Sequence, residues 1–133
     1  SCALRGVRVR IITPSGGANN IPFVHWASRT MYAPFLRRRV RIFESGTPFD
    51  HSKLLTVDGI FSIIGSTNLD PRSLKLNFEF NLACFDDQLT PALNRSFDQK
   101  LASSTEITLE TLAAQTLPER LRNGVARLFT PLL

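Results

Sequence analysis

An α/β fold, with a mixed central β-sheet flanked by helices, is what this 133-residue sequence predicts. Three observations point to it. A strand–helix–strand pattern runs from Val7 to Glu44, a hairpin pattern occupies Phe49 to Ile64, and apolar residues repeat at i+4 after Thr90. Hydrophobic content of 43% with 20% charged residues fits an ordinary globular chain, long enough for one domain with its own core. No apolar run approaches the roughly eighteen residues a membrane-spanning helix requires. No signal peptide is visible, because Ser1 to Val7 leads directly into a strand. The chain starts abruptly without Met, so it reads as a fragment of a longer protein with a natural end near Leu133.

The elements follow in order. Val7 to Thr13 reads as a strand closed by the Pro14-Ser15-Gly16-Gly17 turn. Asn19 or Asn20 caps a helix with Pro22 in its first turn, and Val24, Ser28, Met31 and Phe35 follow helical spacing as core residues. His25 reads as a helix residue with no catalytic part. Pro34 should kink or end that helix. Val40 to Glu44 is a second strand, parallel to the first if the crossover has the usual hand.

Phe49 to Val57 and Ile60 to Ile64 form a hairpin around Asp58-Gly59. Leu69 to Leu74 is a turn or short helix. From Asn77 to Cys84 the residues alternate, with Phe78, Phe80, Leu82 and Cys84 on an apolar face and Asn77, Glu79 and Asn81 on a polar one. Thr90-Pro91 starts a helix carrying Leu93, Phe97 and Leu101. Thr108 or Ser104 caps a short helix through Ala114. Pro118 starts a last helix whose Leu117, Leu121, Val125 and Leu128 oppose Arg120, Arg122 and Arg127. That stripe fits a membrane-surface helix, and it fits packing on the rest of the domain equally well.

Chemistry concentrates in the hairpin. His51, Lys53 and Asp58 stand in an HxKxxxxD pattern, followed after six intervening residues by Gly65, Ser66 and Asn68 in GSxN. Side chains alternate along a strand, so His51 and Lys53 should point the same way. A neutral imidazole is a competent nucleophile near pH 7, and an ammonium beside it neutralises phosphate charge. Gly65 permits close backbone approach, and Ser66 and Asn68 offer donors. A carboxylate on the neighbouring strand's polar face, Glu79, is placed to orient the His51 ring. Any one of these residues alone would suit a surface strand or a turn; the fixed spacing of all of them argues for a site.

Charge is uneven. Residues 1 to 43 hold eight arginines and no acid, whereas the remainder holds eleven acids against eight bases, within a net charge of +5. The basic end suits an anionic partner, acidic lipid or nucleic acid, or is simply a solvated face. Cys2 and Cys84 make no disulfide framework, and with two scattered histidines they make no zinc site. No metal and no cofactor are expected.

The HxKxxxxD–GSxN pattern resembles the catalytic motif of the phospholipase D superfamily. The segments Arg5 to Ile11, Val40 to Glu44, Gly65 to Glu79, Ser104 to Leu109 and Ala126 to Leu133 resemble the C-terminal half of bacterial cardiolipin synthases. The resemblance implies a phospholipase D-like half-domain over residues 1–103 and a helical tail over 104–133. It implies a covalent phosphohistidine without metal, with His51, Lys53 and Glu79 catalytic, Lys53, Ser66 and Asn68 holding phosphate, and Asp58 and Gly65 structural. Two departures bear on substrate rather than chemistry. Arg39 stands where the family usually has glycine, and residues 15 to 20 lack the usual acid.

Such a site needs two HxKxxxxD motifs and this chain has one, so the second would come from a missing N-terminal half, the favoured source, or from another copy. His51 is then nucleophile or general acid. The implied reaction joins two phosphatidylglycerol molecules into cardiolipin and releases glycerol. The implied partners are phosphatidylglycerol or a related anionic phospholipid and a membrane surface, the cytoplasmic face of the bacterial inner membrane. A phospholipase D-type hydrolase, a dimeric single-motif nuclease and a non-catalytic anionic-lipid-binding module compete. Nucleic acid is disfavoured because no aromatic residues interleave the basic run.

Overall fold

A computed structural model describes residues 2–18 and 22–129. The α/β class holds. The chain forms two compact units, one of residues 1–49 and 103–133 and the other of residues 50–102.

In the first unit, β1 (Arg10–Pro14) and β2 (Arg41–Ser45) pair in parallel through the helix α1 (Pro22–Leu36). The short β6 (Thr105–Ile107) adds to β2 antiparallel, so this three-stranded sheet is mixed and β2 is central. β1 ends on Pro14, tolerated because β1 is an edge strand that need not donate on its outer side. The core gathers Ala3, Tyr32, Val40, Ile42 and Ile107, with Val9, Ile11, Leu36 and Leu112 against them. Burying a side chain such as Ile42 contributes about 1.5–3 kcal/mol.

The expected caps Asn19 and Asn20 lie outside the described residues, as do residues 130–133. Pro34 does not end α1 at once. The helix runs two residues further and closes with Arg39 in the left-handed region, at φ 66°. There Arg38 and Arg39 N–H groups bond the Phe35 and Leu36 carbonyls, and Val40 N–H returns to Phe35. This is the terminus that glycine normally makes. Near the other end of β2, Glu44 accepts from His25 Nε2 (2.9 Å) and Arg29 Nε (3.1 Å). His25 therefore ties α1 to the sheet.

The tail is built by capping boxes. Thr108 opens α4 (Leu109–Ala113) by exchanging bonds with Thr111. Thr116 opens α5 (Leu117–Leu128) with Glu119. α5 lies along α1, where Phe129 meets Phe23 edge-on and Arg122 stacks 4.4 Å over the Trp26 ring.

In the second unit, β3 (Lys53–Val57), β4 (Phe61–Gly65) and β5 (Asn81–Phe85) make an antiparallel sheet with β4 central. Asp58 (φ 51°) and Gly59 (φ 73°) are both left-handed, which matches the twist of a tight hairpin. Across the sheet Phe61 and Phe85 are opposite, their rings 4.7 Å apart. α2 (Pro71–Lys75) is capped by Asp70, which accepts from Ser73 N. α3 (Leu89–Ala102) docks through Thr90, whose hydroxyl bonds the fully buried Ser62 on β4. Lys100 on α3 pairs with Asp50.

Two registers differ from expectation. β3 begins at Lys53, so His51 lies in the extended segment before the strand. Residues 77–80 are not strand either, and Phe78, Phe80 and Leu82 are exposed. There Ser66 binds the backbone of Phe80 in both directions, its N–H to the Phe80 carbonyl and its Oγ to the Phe80 N–H.

Candidate active site

The sheet register places the site. Lys53, the first residue of β3, faces Gly65, the last of β4, and Gly65 in turn faces Asn81, the first of β5. Lys53, Gly65 and the neighbouring Ser66 therefore meet at one end of this sheet, while Asp58 is at the opposite end, in the turn. Asp58 shapes the hairpin there.

Lys53 Nζ donates to the His51 backbone carbonyl at 2.7 Å, which fixes the ammonium beside the His51 residue. Partial desolvation lowers the Lys53 pKa below the usual lysine range, and the Glu79 carboxylate opposes that shift. His51 is exposed.

Glu79 is the hub of the polar contacts. Ser66 Oγ donates to Glu79 Oε2 at 2.5 Å, and Asn77 Nδ2 donates to Oε1 at 3.3 Å. The Ser66 hydroxyl, then Ser73, Asn77 and the Lys53 charge, hold this carboxyl below the ordinary carboxylate range despite some desolvation. It therefore stays an acceptor down to acidic pH. Ser66 Oγ also accepts from Phe80 N–H at 3.0 Å. A hydroxyl has one proton, and here it is committed to Glu79, so a phosphate reaching Ser66 must compete with that carboxylate. Asn68 is exposed in the loop that follows. Asn81 Nδ2 donates to Thr67 Oγ1 at 2.6 Å and pins that loop to β5.

Gly65 has a cause the sequence did not reveal. A Cβ there would overlap Asn81 Oδ1 and the Phe80 carbonyl, so glycine is required by β5 itself. Ser73 and Asn77 also went unnoticed as Glu79 partners. The polar alternation around Glu79 signalled Asn77, but nothing local signalled Ser73, whose burial depends on the fold of α2. Among the described residues, no group of three or more His, Cys, Asp or Glu side chains is arranged to hold a metal ion.

Residues 1–101 match the family description "Cardiolipin synthase, PLD-like domain". The chain belongs to this family. Cardiolipin synthase from Staphylococcus aureus (strain Mu50) is 36% identical over 131 residues, covering 98% of this chain and 26% of that protein. Cardiolipin synthase 1 of Staphylococcus epidermidis (strain ATCC 12228) is 34% identical over 128 residues, covering 96% of the chain and 26% of its own length. The chain thus spans about a quarter of the length of the curated relatives it matches. In fold it is similar to Nuc, a phospholipase D family member from Salmonella typhimurium. The TM-score is 0.61 at 16% identity, over 78% of this chain and 66% of that one.

Proposed function

We propose that this chain is the C-terminal catalytic half of a phosphatidyltransferase that makes cardiolipin from two phosphatidylglycerol molecules. The observation that carries the reading is the grouping of Lys53, bonded to the His51 carbonyl, with Ser66 and Glu79 at one end of a sheet formed by the HxKxxxxD hairpin and the strand after GSxN. Membership in the cardiolipin synthase family supports the lipid substrate. In this reading residues 1–103 form the catalytic half and residues 104–133 its tail. The second motif comes from the rest of a longer protein, and the working site is the cytoplasmic face of the inner membrane.

One histidine attacks phosphorus of the first phosphatidylglycerol. The P–O bond to glycerol breaks, the other histidine gives that oxygen a proton, and a phosphatidyl-histidine remains. The hydroxyl of a second phosphatidylglycerol then attacks, loses its proton to the same acid–base histidine, and releases the first. His51 takes one of these two parts. Lys53 and Asn68 hold the phosphoryl oxygens, and Glu79, fixed by Ser66, orients the imidazole and stabilises its protonated form.

The test is incubation of the intact gene product with phosphatidylglycerol vesicles, measuring cardiolipin and glycerol together, beside His51→Ala. Both products should come from wild type alone. Phosphatidic acid in place of cardiolipin would make water the acceptor and the protein a hydrolase. Turnover near wild type in a folded His51→Ala would sink the assignment. Trapping and mapping the phosphohistidine assigns the nucleophile.

A further inference from the structure

α5 is mounted inside out. A surface helix normally turns its apolar stripe to the core. Here the residues turned inward are Ala126 and Asn123, both buried, while Leu117 (78% exposed), Leu121 (71%) and Leu128 (76%) face outward with Val125. At 3.6 residues per turn these four lie on one side of the helix, opposite the side that rests on α1. The contacts holding α5 in place use its other flank, Arg122 on Trp26 and Phe129 on Phe23. The leucines are therefore presented without having been needed to seat the helix.

Charge says what fits them. Arg120 and Arg127 border the stripe, and among the described residues no carboxylate pairs with either. The helix's one acid, Glu119, is turned towards the inward side and bonds Thr116 at the cap through N (2.8 Å) and Oγ1 (3.0 Å). An apolar stripe edged by arginines, with no acid beside it, complements the boundary between acyl chains and anionic headgroups. Leucines enter the acyl region there, and arginine stems extend so that their guanidinium groups reach phosphate. With 12 residues α5 is far too short to cross a hydrocarbon core of about 30 Å, so it lies in the plane of the surface.

We propose that the outward face of α5, Leu117, Leu121, Val125 and Leu128 edged by Arg120 and Arg127, docks the protein on an anionic phospholipid surface. The choice of anionic lipid as occupant rests in part on the phosphatidyltransferase reading; the exposure and charge of the face do not.

The experiment attaches an environment-sensitive fluorophore to the intact gene product through Leu121→Cys or Leu128→Cys, with other reactive thiols removed. Emission should shift to the blue on adding phosphatidylglycerol vesicles and stay unchanged with phosphatidylcholine vesicles. Emission already blue without vesicles would mean that protein, the rest of the chain or a second copy, covers the face, and would overturn the proposal. Water-like emission in phosphatidylglycerol would overturn it too.

A Leu121→Glu/Leu128→Glu double variant gives the functional arm. Turnover on vesicles should fall about tenfold or more, because two leucines lose their place in the acyl region. Turnover of lipid dispersed in detergent micelles should stay within about twofold, since α5 makes no part of the proposed chemistry. Equal loss in both assays would reveal a structural role and overturn the proposal. Wild-type protein inactive even in micelles would sink the phosphatidyltransferase reading alone, and the fluorophore would still decide this one.

Discussion

Ser66 and Glu79, thirteen residues apart in the chain, are joined by a hydrogen bond of 2.5 Å from hydroxyl to carboxylate. This contact is the largest cause of the lowered Glu79 pKa. A depressed carboxyl contributes stability that is present above its unfolded value, about 4.3, and is lost as pH falls through the folded value. In Ser66→Ala the Glu79 titration, followed by carbon NMR of its carboxyl, should move up towards the ordinary range. Turnover should fall with it if Glu79 orients His51 as proposed, because the carboxylate loses its anchor. An unmoved Glu79 titration would show that Ser66 does not hold the carboxylate in solution.

Lys53 experiences opposing influences. Desolvation lowers its pKa, and Glu79 raises it by less. The folded state then binds fewer protons than the unfolded chain in the window just below the usual lysine value of about 10.4, so stability rises with pH through that window. The alkaline limb of the rate profile should lie below the pH at which an ordinary lysine loses its charge. Lys53→Met should cost about a hundred- to a thousandfold in kcat, as removal of a transition-state donor does. Lys53→Arg should keep the charge at high pH and so move the alkaline limb upward, with a lower rate because the fork cannot repeat the 2.7 Å bond to the His51 carbonyl in the same geometry. An alkaline limb unchanged by Lys53→Arg would assign that limb to another group.

What the sequence made legible was local. The apolar and β-branched run up to Val57 and the Asp58-Gly59 turn identify a hairpin because strand propensity and left-handed turn residues act within a few positions. Thr108 is one of two caps the sequence offers for the first tail helix, and Pro118 marks the start of the second; the structure uses Thr108 and Thr116. The residues of the candidate site were nameable for the same reason, since HxKxxxxD and GSxN flank one hairpin. The hidden parts depended on distant segments. Asn77 to Phe80 alternate like a strand, yet β5 begins only at Asn81, and Phe80 is held instead by Ser66, fourteen residues away. The Ser66–Glu79 bond likewise joins segments thirteen residues apart. Periodicity showed which side of α5 is apolar, but whether that side meets the domain depends on how Ala126 and Asn123 fit α1.

Gly65 tests how tightly β4 and β5 are joined at the site. A methyl group there meets the Phe80 carbonyl and Asn81, and backbone cannot rotate away as a long side chain can. Gly65→Ala should destabilise the protein by about 1–3 kcal/mol, read from the urea midpoint. Because the displaced strand carries Phe80 away from Ser66, the Glu79 titration should rise in this variant as well. Wild-type stability in Gly65→Ala would mean that the two strands separate freely.

Arg39 offers a gain rather than a loss. Its backbone stands at φ 66°, where a side chain crowds the following carbonyl and costs about 1–2 kcal/mol. Glycine removes that crowding but makes the unfolded chain more flexible, which returns about 0.4–1 kcal/mol of the gain. The Arg39 side chain is exposed, so little packing is lost. Arg39→Gly should therefore stabilise the chain by about 0.5–1 kcal/mol, seen as a higher urea midpoint with an unchanged slope. It should leave turnover alone, because Arg39 belongs to the turn between α1 and β2 and to no part of the proposed chemistry. A lower midpoint would show that the arginine makes a compensating contact in the whole protein.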